Sequence, residues 1–243
     1  MAANPAPRPA ARRSTERATE ATHLSRLRAI VVEHGGRWQP LDTLARDLAR
    51  EVTGTSRPRG VDPVFWLLRW SFDPAGGRRE RLVPIPNAAL RRELGLPADQ
   101  SVYSAAELLE HDRLRELLAG LGRGGPGRTA DPLTAKLSDI HGQLGTLQSI
   151  LNGEAIRPIP DPADALASWR SVPWARRSAG PKTAPVVAAW DRLAEAFRTG
   201  DAPAFAAASD ALAAALAVLP ARSRPAADLI AADLPQHACQ MLG

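Results

Sequence analysis

Hydrophobic positions recur at helical spacing along most of this chain. Leu41, Leu44, Ala45, Leu48, Ala49 and Val52 fall at i, i+3, i+4, i+7, i+8 and i+11, one face of an α-helix. Pro40 is placed to open that helix, where its missing N–H costs nothing, and Gly54 to close it. Asp62-Pro63 is a second cap-plus-proline start, followed by Val64, Phe65, Trp66, Leu67 and Trp70. Pro84-Ile85-Pro86 predicts an extended connector. Asn87 predicts the cap of a short helix ending at Leu94-Gly95. Ser104 and Glu107 have the spacing of a capping box ahead of Leu108, Leu109, Leu114, Leu117, Leu118 and Leu121.

The clearest helix starts at Asp131-Pro132 and is stopped by Gly153. Its Leu133, Leu137, Ile140, Leu144, Leu147 and Leu151 alternate by four and three. Such a seam packs along a partner helix, within the domain or on another chain. Further on, Val186, Val187, Trp190, Leu193, Ala194 and Phe197 line one Ala-rich helix. Phe205, Leu212, Ala215, Leu216 and Leu219 line the next, after a corner at Gly200-Asp201. This predicts an αα-hairpin. A final short helix is expected within 224–236.

Strand signals are scarce, and the stretch 29–32 reads as one short strand running into a Gly35-Gly36 turn. The expected fold is mainly α: an irregular helical domain with an αα-hairpin near the C-terminus and one short strand pair near the N-terminus. Residues 1–22 read as a disordered basic tail, since they lack periodicity. Residues 23–170 read as the main helical domain, 171–182 as a loop or linker, and 183–243 as the C-terminal hairpin and tail. The run 122–130, GRGGPGRTA, is the clearest internal loop.

Composition narrows the picture. With 243 residues, 44% of them hydrophobic, the chain has material for one good-sized core or two small ones. The net charge is +5, and residues 1–60, with 11 arginines and 6 acids, hold all of that excess. A nucleic-acid binder concentrates base on a groove, often with interleaved aromatics. Here the densest base is Arg8, Arg12, Arg13 and Arg17, in a Pro/Ala-rich tail without aromatics. The longest apolar run, Ala211–Leu219, has nine residues, against the ~18 needed to span a bilayer. The N-terminal arginines lack a following apolar stretch, so no signal peptide is read.

Candidate chemistry is thin. Cys239 is the only cysteine, which excludes an intramolecular disulfide, and it lacks haem-attachment or zinc spacing. No histidine pair has metal-ligand spacing, and no glycine cluster carries the Lys and Ser/Thr of a phosphate loop. His141 lies one position off the leucine seam; it reads as a surface histidine or as an axial haem ligand. Trp66 and Trp70 share a helix face, with Trp38 expected nearby, and read as core anchors or as a porphyrin platform. Arg37, Asp42, Thr43 and Arg46 crowd a helix start. In the structural reading, Asp42 and Thr43 satisfy first-turn N–H groups and Arg37 pairs with a nearby acid. In the functional reading, Arg37 and Arg46 face a partner or ligand. No acid–base pair stands beside a nucleophile, so no catalytic residue is assigned.

The stretch GGRWQPLDTLAR, then a helix, then GVDPVFWLL resembles the extracytoplasmic region of CcsA/ResB-type (system II) cytochrome c biogenesis proteins. The residues that carry the resemblance are Gly35, Gly36, Arg37, Pro40, Leu41, Asp42, Thr43, Ala45 and Arg46. Asp62, Pro63 and Trp66-Leu67-Leu68 follow, with weaker support around Ile159-Pro160 and Trp169. The resemblance covers roughly 28–170 and extends faintly through 186–219. It implies a non-catalytic domain or accessory subunit on the extracytoplasmic (periplasmic) side, in a complex that delivers haem and attaches it to apocytochrome c. The implied partners are a membrane-embedded cytochrome c assembly protein and apocytochrome c. The family's tryptophan-rich haem-presenting segment, its histidine ligands and its transmembrane helices have no counterpart here. No cofactor is therefore expected on this chain, haem being handled by the wider complex. The missing anchor implies a split gene, part of a longer protein, or an accessory subunit. Two other classes remain open: a basic helical nucleic-acid-binding protein, and a helical protein-interaction module using the 133–151 seam.

Overall fold

The computed structural model describes residues 24–121, 132–161, 169–178 and 180–219. Helix α1 (Ser25–Arg28) leads into β1 (Val31–His34), β2 (Arg37–Pro40) and α2 (Leu41–Thr53). After a 3₁₀ turn at Pro58–Gly60 come α3 (Pro63–Phe72), α4 (Pro74–Arg79), β3 (Arg81–Pro84) and α5 (Ala88–Leu94). Then follow β4 (Val102–Ser104), α6 (Ala105–Leu109), α7 (Asp112–Leu121) and α8 (Pro132–Leu151). The last elements are α9 (Val172–Arg177), α10 (Ala184–Thr199) and α11 (Ala202–Ala217). The fold is mainly α, with two short antiparallel strand pairs among the described residues, β1–β2 and β3–β4. The first pair is the expected one. The tail 1–22, the loop 122–130, the Asp131 start and the helix expected in 224–236 lie outside the described residues, as do His23 and Cys239.

Local chemistry sets most boundaries where the sequence places them. Asp62 Oδ1 accepts the N–H groups of Val64 (3.0 Å) and Phe65 (3.2 Å) and opens α3. Asn87 does the same for α5 at Ala89 and Leu90, and Gly95 closes that helix at φ +70°. The capping box of α6 is complete: Ser104 Oγ accepts from Glu107 N at 3.1 Å, and Glu107 Oε2 accepts from Ser104 N at 2.8 Å.

Three local expectations change. Pro40 ends β2, and helix α2 starts one residue later. The helix begun by the capping box stops at Leu109, because His111 Nδ1 accepts Leu114 N–H (3.4 Å) and starts α7 afresh. The expected linker 171–182 contains α9. Ser171 Oγ takes the Trp174 N–H (3.3 Å), and Pro173 fits the first turn.

The chain divides into two compact units. One comprises residues up to Thr43 and from Arg157 onward, and the other Leu44–Ile156. In the first unit, α10 and α11 form the expected hairpin, α1 packs on α11, and α9 packs on α10. Leu24, Leu27, Val186, Leu193, Phe205 and Leu212 are buried there.

In the second unit, α8 packs against α3, α4, α7 and β3. Its Leu137, Ile140, Leu144, Leu147 and Leu151 are all buried, so the leucine seam is spent inside the chain. Helix α4 approaches closely at Gly77. A Cβ there would lie 2.7 Å from Leu151 Cδ2 and 3.1 Å from Trp70 Cγ. Gly77→Ala is expected to cost about 1–3 kcal/mol in urea unfolding, because the Leu151 methyl can turn aside but the buried indole has no room to retreat.

Glu107 also ties α6 to β3. Arg81 donates to its Oε1 through Nε (3.1 Å) and Nη2 (2.8 Å). Burial pushes this carboxyl up, but the hydrogen bonds from Arg81, Ser104 and Gln100 outweigh it and bring the pKa down to about 2 from 4.5. A carboxyl depressed by folding stabilises above its unfolded value and loses that contribution as pH falls through the folded one. The loss should therefore run from about pH 5 to about pH 2. Screening at this partly exposed pair reduces the effect to about 1 kcal/mol. Glu107→Gln should flatten that part of the acid limb in a stability–pH profile.

Candidate partner-binding site

The first half of the 35–68 motif is built on the β1–β2 hairpin of the first unit. Gly35 and Gly36 have φ of +59° and +78°, and this two-residue turn with both φ positive closes the strands at His34–Arg37. Two buried carboxylates hold the turn and the helix that follows it. Glu33, 3% exposed, accepts the Gly36 N–H on Oε1 at 2.7 Å, and Arg157 Nη1 stands 3.8 Å from Oε2. The Glu33 N–H donates to the Arg157 carbonyl at 3.0 Å, so one residue braces β1 through main chain and side chain. Asp42, 2% exposed in the first turn of α2, accepts from the Arg28 guanidinium. Thr43 beside it is half-buried.

This arrangement differs from the expected one, in which Arg37 pairs with a nearby acid. Arg28 serves Asp42 and Arg157 serves Glu33. The turn carries Arg37 to the hairpin tip, exposed and without a side-chain partner among the described residues. Trp38 next to it is 40% exposed, whereas Trp66, Trp70, Trp169 and Trp190 are buried. Glu33, Arg157 and Arg28 were not singled out from the sequence. A signal for Glu33 was available, since an acid three residues before a glycine can close the turn on that glycine's N–H.

The second half of the motif lies in the other unit and is structural. Asp62 caps α3, and Pro63 is buried in its first turn. Trp66 and Trp70, 3% and 1% exposed, pack with ring centroids 4.1 Å apart at 49°. Trp70 Nε1 donates to Glu80 Oε2 at 3.1 Å, and Arg59 reaches Glu80 Oε1 at 3.3 Å. Both indoles therefore serve as core, and their faces offer no exposed platform. Arg46, on α2, is half-buried and partnered. Of the two arginines in the functional reading, Arg37 is exposed and Arg46 is not.

Other candidate chemistry is dispersed. His34 and His141 are exposed at separate positions, and His111 is half-buried at the start of α7. Among the described residues no group of three His, Cys, Asp or Glu side chains is placed to hold a metal ion. No described helix is long and apolar enough to cross a membrane. A groove of about 380 Å³ along α10 and α11 is lined by Arg192, Glu195, Thr199, Asp201 and four alanines, without a histidine or cysteine. No protein-family model matches the chain. No curated protein matches it significantly.

Proposed function

We propose that this chain is a non-catalytic, extracytoplasmic domain or subunit of a system II cytochrome c assembly factor, and that it meets its partner through the Arg37-Trp38 corner of the β1–β2 hairpin. The process comes from the resemblance of residues 35–68 to that family. What supports the surface is one observation: a cation and an indole stand exposed on successive residues of β2, next to a turn held by Glu33, while Asp42 is buried in the helix start that follows. Exposed arginine and tryptophan are the residue types that dominate binding energy at protein interfaces. Haem chemistry belongs to the membrane-embedded partner, and this chain supplies contact and placement.

The test is capture from native membranes solubilised in mild detergent, with this chain as bait and the partners identified by mass spectrometry. Recovery of a CcsA/ResB-like membrane protein or an apocytochrome c is the expected result. Recovery of only nucleic acid and its binding proteins would overturn the proposal. A bait carrying Trp38→Ala is expected to recover at least tenfold less of the same partner.

A further inference from the structure

The hairpin also carries an open backbone edge. In an antiparallel pair, opposed residues alternate between exchanging hydrogen bonds and turning their N–H and C=O outward. The Leu41 N–H donates to the Ile30 carbonyl at 2.8 Å, which places Ile30–Leu41 among the bonded pairs. By the register, Val32–Gln39 and His34–Arg37 are bonded as well, and Glu33–Trp38 faces outward. Glu33 fits that assignment, because its N–H leaves the hairpin and meets the Arg157 carbonyl. On the opposite strand the same parity turns the N–H and C=O of Trp38 away from β1, where no described residue takes them up. Pro40, the next outward residue, has no N–H, so the edge offers one full pair of bonds and stops.

We infer that the Trp38 edge of β2 receives a short extended peptide bearing carboxylates, which adds to the hairpin as a third strand. This rests on the reading of the hairpin as the partner-facing surface, and it names the chemistry of what docks there. A peptide backbone supplies both the acceptor and the donor that Trp38 leaves open. Successive side chains on a strand point to opposite faces, so Arg37 and Trp38 address alternate residues of the incoming segment. An apolar residue opposite Trp38 would lie on the indole, and its neighbours would carry carboxylates to Arg37. The hairpin offers no competing acid, since Glu33 is buried and already engaged.

The probe is a capped hexapeptide of alternating valine and glutamate, titrated into the full chain while backbone and indole N–H signals are followed by NMR. The Trp38 backbone N–H is expected to shift and to gain protection from hydrogen exchange. Arg37→Glu should weaken binding at least tenfold, and a valine–lysine hexapeptide should not bind. An unmoved Trp38 N–H would overturn the inference, as would tighter binding of decauridylate at the same residues. Suppose capture from membranes depends on Arg37 and Trp38 while the peptide leaves the Trp38 N–H unmoved. The edge pairing then falls and the assembly role stands. Peptide binding without capture of a cytochrome assembly protein would sustain the edge and remove the role.

Discussion

Leu147→Asp should leave the second unit unfolded. Leu147 is fully buried on α8, among Leu144, Ile150 and Leu151. The substitution removes an apolar side chain from a fully buried site and puts a carboxylate in its place. Such changes exceed about 4 kcal/mol, a large share of the about 5–15 kcal/mol that holds a typical domain together. Far-UV circular dichroism should show lost helix, and size exclusion an expanded or aggregated chain. Ile140→Asp should behave the same way. A folded monomer that had merely lost self-association would mean that the seam faces a second chain, and the packing of α8 described above would be wrong.

Asp42→Ala should be the most damaging change within the hairpin motif. The carboxylate is 2% exposed, and its partner Arg28 keeps about a fifth of its side chain in solvent. Removing the buried member of such a pair takes that carboxylate from a guanidinium that stays largely out of water, at a cost of about 3–5 kcal/mol. The double change Arg28→Met with Asp42→Leu should recover most of that loss, because an apolar pair carries no desolvation penalty. Urea unfolding of wild type, Arg28→Met, Asp42→Leu and the double variant in a double-mutant cycle measures the coupling. A cost for Asp42→Ala within the ~0.5 kcal/mol of an ordinary surface change would show that the pair contributes nothing.

Much of the helical structure was legible because its causes are local. The face Leu41–Val52 is buried where its spacing says it should be. Asp62, Asn87 and the Ser104–Glu107 box act on N–H groups two or three residues away, so a short window of sequence contains the whole interaction. Pairings across long separations were not legible. Strands β3 and β4 are four and three residues long and some twenty residues apart, too short to show alternation and too distant to share a turn. Helix α9 hid behind Pro173, which reads as a breaker unless Ser171 is recognised as its cap.

The candidate site was half legible for the same reason. Gly35 and Gly36 announce a turn that needs two positive φ angles. Which arginine folds back onto Asp42 depends on where α1 lies beside the hairpin, and nothing in the spacing distinguishes Arg28 from Arg37. The exposure of Trp38 is likewise a tertiary fact, since five other tryptophans in the chain made a core role the natural expectation.

We propose that the motif separates into a buried frame and an exposed contact surface. The most direct test compares wild-type chain with Arg37→Glu/Trp38→Ala, measuring Tm and the amount of CcsA/ResB-like protein or apocytochrome c captured from native membranes. The double variant should keep the wild-type Tm while capture falls to background. Undiminished capture would contradict the contact surface, and a large fall in Tm would place Arg37 and Trp38 in the frame instead.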